Sequence, residues 1–199
     1  MRNILLVSWL LLPIGAWAYH EGPGQDRMAL DDADAVIVAA HAAANEGRWR
    51  EAVAKYEEAI GKLPTKHGAA VSATTLRRLQ LELNKARMQA SGLPDAREGL
   101  DALVEEMEAD PAADPQLLAE TRQALARSQF YTTWLMRLEG RDRKEWEPEI
   151  DAARQNWRLL AEQARDDKEA ATHRSDLESA IRLSRLEIED LQGLPLPGE

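Results

Sequence analysis

The stretch "GRWREAVAKYEEAIGKLP", Gly47 to Pro64, decides how this chain folds. Ala52, Tyr56 and Ala59 lie four and three residues apart, so on a helix they share one face. Gly47 stands where a helix would end, and Trp49 opens the next one where its ring can cover the turn. Pro64 stops that second helix, because proline lacks the amide a continuing helix needs. The spacing therefore predicts two helices joined by a tight turn, their backbones close at the alanines and wedged apart by aromatic rings.

This pattern resembles the tetratricopeptide repeat, a helical hairpin of about 34 residues. The likeness covers Ala33 to Lys66, with Gly47 as the loop glycine, Trp49 after it, the small–aromatic–small set Ala52, Tyr56, Ala59, and Pro64 at the end. Ala40 meets the small position of the first helix. Ala43 stands where the family usually has a large residue. The resemblance implies a concave groove lined from the first helix by Asp34, Ile37, His41, Ala44 and Asn45. His41 and Asn45, one helical turn apart, would be able to hydrogen-bond an extended peptide. It also implies neighbours, since one hairpin cannot bury its apolar face alone. Gly92, Ala96, Leu100 and Leu103 read as a degenerate second copy, with a loop one residue short and no aromatic after the glycine. The helix before it carries a stripe of Leu76, Leu79, Leu83, Ala86 and Ala90. Further on, the likeness is architectural only.

The rest of the chain is rich in Ala, Leu, Glu, Arg and Gln and shows no alternating apolar run, which favours helix throughout. Breakers divide it into segments at 32–46, 49–63, 69–91, 94–109, 115–139, 145–165 and 175–192. The expected fold is all-α, a short solenoid of stacked αα-hairpins with longer helices in the C-terminal half. Asp114 can cap the fifth helix with Pro115 at its first position. Ser175 and Glu178 have capping-box spacing, which places the start of the last helix there. Pro148 requires either a helix start close by or a kink. Trp146, Ile150, Ala153, Trp157, Leu160 and Ala164 recur every three or four residues and predict a long packing seam. Leu177, Ile181, Ser184, Ile188 and Leu191 would form the inner face of a terminal capping helix, and Gly193 with Pro195 would stop it.

At the N-terminus, "MRNILLVSWLLLPIGAWA" combines a basic residue, a short apolar run and an Ala-Trp-Ala site, the pattern of a cleaved secretory signal with the cut after Ala18. The domain reading is then a signal peptide at 1–18, a flexible lead-in at 19–31, repeat-like hairpins at 32–109, a long helical hairpin with its capping helix at 110–192, and a tail at 193–199. The chain of 199 residues carries a formal charge of −10 and no cysteine. No disulfide or lipidated cysteine is therefore expected. The acidic balance opposes binding to nucleic acid or anionic lipid. The expected location is the periplasm, with no stable membrane insertion after cleavage.

"SQFYTTWLM", Ser128 to Met136, is the densest aromatic patch. Tyr131, Leu135 and Leu138 share one face and Phe130 with Trp134 another, so the helix reads as sandwiched in a core. Tyr131 and Trp134 are also candidate partner contacts, since aromatics dominate interface hot spots. The basic group Arg77, Arg78, Lys85 and Arg87 reads as paired within the chain, with Glu82 among its partners. His20, His41, His67 and His173 are scattered without metal-ligand spacing, so neither metal nor cofactor is expected. Adjacent carboxylates such as Glu57-Glu58 point apart on a helix, and the Ser175 of "THRSD" reads as a cap, not a nucleophile. No catalytic constellation appears. The sequence supports a non-catalytic exported adaptor that binds a protein or peptide in the cell envelope. The alternatives are a small-ligand carrier with its pocket among Tyr131, Trp134, Trp146 and Trp157, and a self-associating structural protein.

Overall fold

The computed structural model describes residues 23–63 and 72–187, with side chains from Leu30 onward. The signal stretch, Pro64, and the Ile188, Leu191 and Gly193-Pro195 features lie outside the described residues. Among those described, all regular structure is helical: α1 (Pro23–Asn45), α2 (Trp49–Lys62), α3 (Ala73–Gln89), α4 (Leu93–Glu108), α5 (Pro115–Leu138), α6 (Arg143–Gln163) and α7 (Asp167–Arg185). Two compact units divide the chain, the first ending at Leu79 and the second beginning at Gln80.

In the first unit α1 packs on α2. Ala33, Ala40 and Ala43 of α1 and Ala52, Tyr56 and Ala59 of α2 are buried. Ala43, small where the repeat family has a large residue, is fully buried with them, because alanine lets the backbones approach while Tyr56 fills the remaining gap. The turn is a Schellman stop. Arg48 N–H donates to Ala43 O at 2.8 Å and Gly47 N–H to Ala44 O at 3.0 Å. Gly47 takes φ +72°, a left-handed conformation that glycine adopts without strain. Trp49 Nε1 would lie 4.0 Å from a Cβ at Gly47, so its ring covers the turn as expected. α2 ends at Lys62, and Leu63 is extended at φ −63°, ψ 132°, the conformation a following proline imposes.

The same stop recurs. Gly92 N–H donates to Arg87 O at 2.8 Å, and Arg141 N–H donates to Met136 O at 2.9 Å with Gly140 at φ +70°. In the middle turn the left-handed residue is Ser91, at φ 71°, and Gly92 is the N-cap at φ −99°. This corrects the register. Ser91, not Gly92, occupies the place of Gly47, the loop is full length, and Leu93 stands where Trp49 does. Ala96, Leu100 and Leu103 then repeat the buried spacing of Ala52, Tyr56 and Ala59, as do Trp146, Ile150 and Ala153 after the third turn.

In the second unit α4 packs on α5, α5 on α6 and α6 on α7. Leu117, Ala124 and Leu125 of α5 join a core with Leu81 of α3 and Leu100, Leu103, Val104 and Met107 of α4. Ala126 and Phe130 of α5 join a second core with the α6 seam and with Ala180 and Leu183 of α7. α5 is thus buried on two sides, as a helix between neighbours must be. The outward face differs from the expected one: Leu135 and Leu138 are exposed, while Tyr131 is half-buried against the second core. The seam on α6 is observed from Trp146 to Leu160, with Ala164 as the half-buried C-cap. On α3 the expected stripe is too narrow, since Leu81, Arg77 and Asn84 are buried as well.

Several boundaries move: α3 begins at Ala73 against the expected 69, and α7 ends at Arg185, with Leu186 extended, against the expected 192. α1 begins at Pro23, inside the stretch read as lead-in, because proline suits a first helical position and helix formers follow. α6 begins at Arg143 and runs through Pro148, which leaves the Lys144 carbonyl without its helical donor. α7 begins at Asp167, eight residues before the expected Ser175. Its cap is Asp166, whose carboxylate accepts from Glu169 N–H at 2.8 Å, while Glu169 accepts from Arg165 N–H at 2.9 Å. The acidic pair has the spacing of Ser175 and Glu178 and lies earlier in the chain, although Glu169 bonds the amide one residue before the cap and not that of Asp166 itself. Ser175 is an exposed mid-helix residue, and its carbonyl accepts from Ser179 Oγ at 3.1 Å. The inner face of α7 is accordingly Ala170, His173, Asp176, Ser179, Ala180 and Leu183, with Leu177 only partly buried.

Arg137 ties α7 to α5. Its guanidinium donates to the carbonyls of Leu183 and Leu186 and lies 4.9 Å from the centroid of the Trp146 ring. Those carbonyls end α7 and lack helical donors, so a cation there satisfies them and the helix dipole together. Burial pushes the guanidinium pKa below its ordinary value, with Glu187 pulling it back.

Candidate functional site

The residues expected to line a groove on α1 are Asp34, Ile37, His41, Ala44 and Asn45. Asp34, His41 and Asn45 are exposed, and Ile37 and Ala44 are half-buried. One turn from Asp34 and from His41 in the same helix, Val38 is 69% exposed, a large apolar group open to solvent. His41 is not a free hydrogen-bonding group at both ring nitrogens. Its Nδ1 lies 2.9 Å from Tyr56 Oη, and the two rings meet edge to face at 5.5 Å. The imidazole therefore joins α1 to α2, which leaves Asn45 and Asp34 as the outward polar groups of the row.

Tyr131 and Trp134, the other candidate contacts, are half-buried and packed on the core of the second unit. Phe130 stands between Tyr131 and Trp157, with ring centroids 5.9 Å from each. Trp157 is fully buried, and Trp146 is covered by Arg137. Tyr131 and Trp157 are thus engaged with Phe130, Trp146 with Arg137, and Trp134 with the core.

An open cleft lies at the other end of these helices. It has a volume of about 670 Å³ and is formed by the start of α5, the end of α6 and the first half of α7. Leu118, Ala119, Leu160 and Ala164 supply apolar wall, and Gln123, Gln163 and His173 supply neutral polar groups. The charged residues around it are already engaged. Arg122 pairs with Glu108, Asp114 accepts from the Gln116 backbone amide at 2.9 Å, Glu120 accepts from the Gln116 side chain at 3.5 Å, and Arg165 Nε donates to Glu169 at 3.3 Å. The backbone N–H and guanidinium of Arg165 hold the Glu169 carboxyl below its usual range.

None of these cleft residues was singled out as a site from the sequence. The polar run from Asp166 to Arg174 reads as a break between helices, whereas it is the capped first half of α7. Only that earlier start brings His173 to the cleft. The signal that could have found it is the Asp166-x-x-Glu169 spacing, a capping box with aspartate at its head.

Of the basic group, Lys85 pairs with Glu82 at 2.9 Å and Arg87 donates to Asn84 at 3.3 Å. Arg77 is buried, and neither it nor Arg78 is free of partners. No cluster of three or more His, Cys, Asp or Glu able to hold a metal occurs among the described residues. Nor is any described helix long and apolar enough to cross a membrane. Compared with protein-family models, with curated proteins and with solved structures, the chain shows no match.

Proposed function

We propose that this chain is a non-catalytic exported adaptor, a short tetratricopeptide-like helical array that binds a protein or peptide partner in the periplasm. The observation that carries the reading is the recurrence of one hairpin design. Three Schellman stops are each followed by a buried triplet of the same spacing. Such hairpins are rigid before a partner arrives, so docking costs the protein little ordering entropy. The exposed Asp34, Asn45 and Val38 on α1 supply polar and apolar contacts of the kind a peptide needs. The carrier alternative is less well supported, because Tyr131 and Trp157 both pack on Phe130, Trp134 packs on the core and Trp146 lies under Arg137.

Photo-crosslinking side chains placed at Asp34 and Asn45 in an exported copy test this role. A reproducible protein adduct at either position is expected, with none at exposed Arg158 on α6. Adducts that form equally at all three positions, or at none, overturn it. Export itself is tested on the mature protein, whose N-terminal sequence should begin at Tyr19 in a periplasmic fraction.

A further inference from the structure

The cleft in the second unit is chemically unlike the charged surface around it. His173 is only 5% exposed, and its Nδ1 is buried without a hydrogen-bond partner. A buried N–H with no acceptor costs more than a bare lone pair, so of the two imidazole tautomers the one with its proton on Nε2 suits this setting and offers a donor there. Gln123 is half-buried and Gln163 exposed at the same cleft. A glutamine amide carries one acceptor and two donors, the complement of a peptide group. The charges at the rim are held in pairs or in the α5 cap, and Glu120 accepts from the Gln116 side chain and lies in the field of Arg165, so an ionic ligand would have to compete with one of these contacts. Leu118 and Leu160 leave an apolar wall beside these neutral groups. The volume falls within the range of about 300–1,000 Å³ found for ligand sites.

We propose that this cleft receives an extended, uncharged peptide segment of the partner, with an apolar side chain against Leu118 and Leu160 and main-chain amides at Gln123, Gln163 and His173. The proposal rests on the adaptor reading and adds to it a second docking place, separate from the α1 row, together with the chemistry that place selects. An acidic or basic segment is rejected, because it would bury a charge with no free counter-charge. A peptide with a small apolar residue is accepted, because every group it covers has a match.

The test uses the ¹⁵N-labelled full chain and blocked tripeptides, acetyl-Ala-X-Ala-amide, with X as Leu, Val, Phe, Glu or Lys. Saturable shifts of the Gln123 and Gln163 side-chain amides, and of the Leu118 and Leu160 backbone amides that remain in every variant, are expected with at least one of Leu, Val or Phe. The Glu and Lys peptides should bind at least about tenfold more weakly, the effect of an unpaired buried charge. Acetyl-leucine amide, a free solute of the same chemistry, should bind more weakly than the tripeptide. Ala119→Trp, which fills the cleft, should abolish the shifts. Should that variant lose its helical signal, the double variant Gln123→Ala, Gln163→Ala should weaken binding at least about tenfold instead, through lost hydrogen bonds. The proposal is overturned by absence of shifts with all three apolar peptides, by equal binding of the charged ones or of the free solute, or by shifts that survive these substitutions. A chain that fails this titration yet still crosslinks a partner through Asp34 or Asn45 keeps the adaptor role and loses the cleft. Peptide binding without any crosslinked partner does the reverse.

Discussion

At Gly61 an added Cβ would meet nothing within 4 Å, whereas at Gly99 it would fall 2.6 Å from Asn84 Oδ1. Both glycines lie inside helices, where alanine is normally preferred by up to about 1 kcal/mol. Gly61→Ala should therefore raise stability by about 0.5 kcal/mol, reduced from the full value because the site is near the end of α2. Gly99→Ala should lower it by about 1–2 kcal/mol, since Asn84 is buried and its amide has little room to retreat. Urea denaturation of the two variants checks the opposite signs. Tyr56→Phe isolates another local bond. It keeps the wedge between α1 and α2 but removes the hydroxyl that meets His41, at a cost of about 1 kcal/mol. A loss of several kcal/mol would mean that the ring itself had been displaced.

At the scale of one helix, the two ends of α7 are held by different charges. Arg137→Met keeps the stem that packs near Trp146 but leaves the Leu183 and Leu186 carbonyls without their donor. It should cost about 2–4 kcal/mol, the range for breaking charge-assisted bonds at a buried site. Amide exchange should quicken first in the last turn of α7. At the other end Glu169 has a carboxyl pKa below its usual value, set first by the Arg165 backbone N–H and then by its guanidinium. A depressed carboxylate contributes stability that is present above the unfolded pKa of about 4.3 and is lost as pH falls through the lower folded value. Glu169→Gln should therefore flatten the fall in stability below about pH 4 and leave its pH dependence near neutrality unchanged. A thermal melt at each pH reads this directly.

Across the whole molecule the formal charge of −10 works against compaction. Screening should relieve it, so the melting temperature should rise when salt goes from about 10 mM to about 150 mM, where the Debye length shortens to about 8 Å. A fall would show that the surface pairs, such as Arg143 with Glu147, outweigh the repulsion. The repeated hairpin also belongs to this scale. The turn residues Gly47, Ser91 and Gly140 share the left-handed conformation, although only two of them are glycine. Reading glycine alone misplaced the middle register by one residue. The backbone hydrogen bond from Gly92 to Arg87 restores it.

What the sequence determined by itself was local and periodic. The triplet Ala52, Tyr56, Ala59, the seam from Trp146 to Leu160 and the Asp114-Pro115 start were legible because helical spacing and capping depend on residues a few positions apart. The tertiary structure decided what depends on distant neighbours. It chose between two capping boxes for α7, engaged His41 with Tyr56, and used Arg137 to close a helix some 46 residues away in sequence. It also opened the cleft at His173, 50 residues beyond Gln123 in the chain. Spacing along one helix carries no record of which other helix supplies the opposite wall, and that pairing is settled only when apolar faces are buried together.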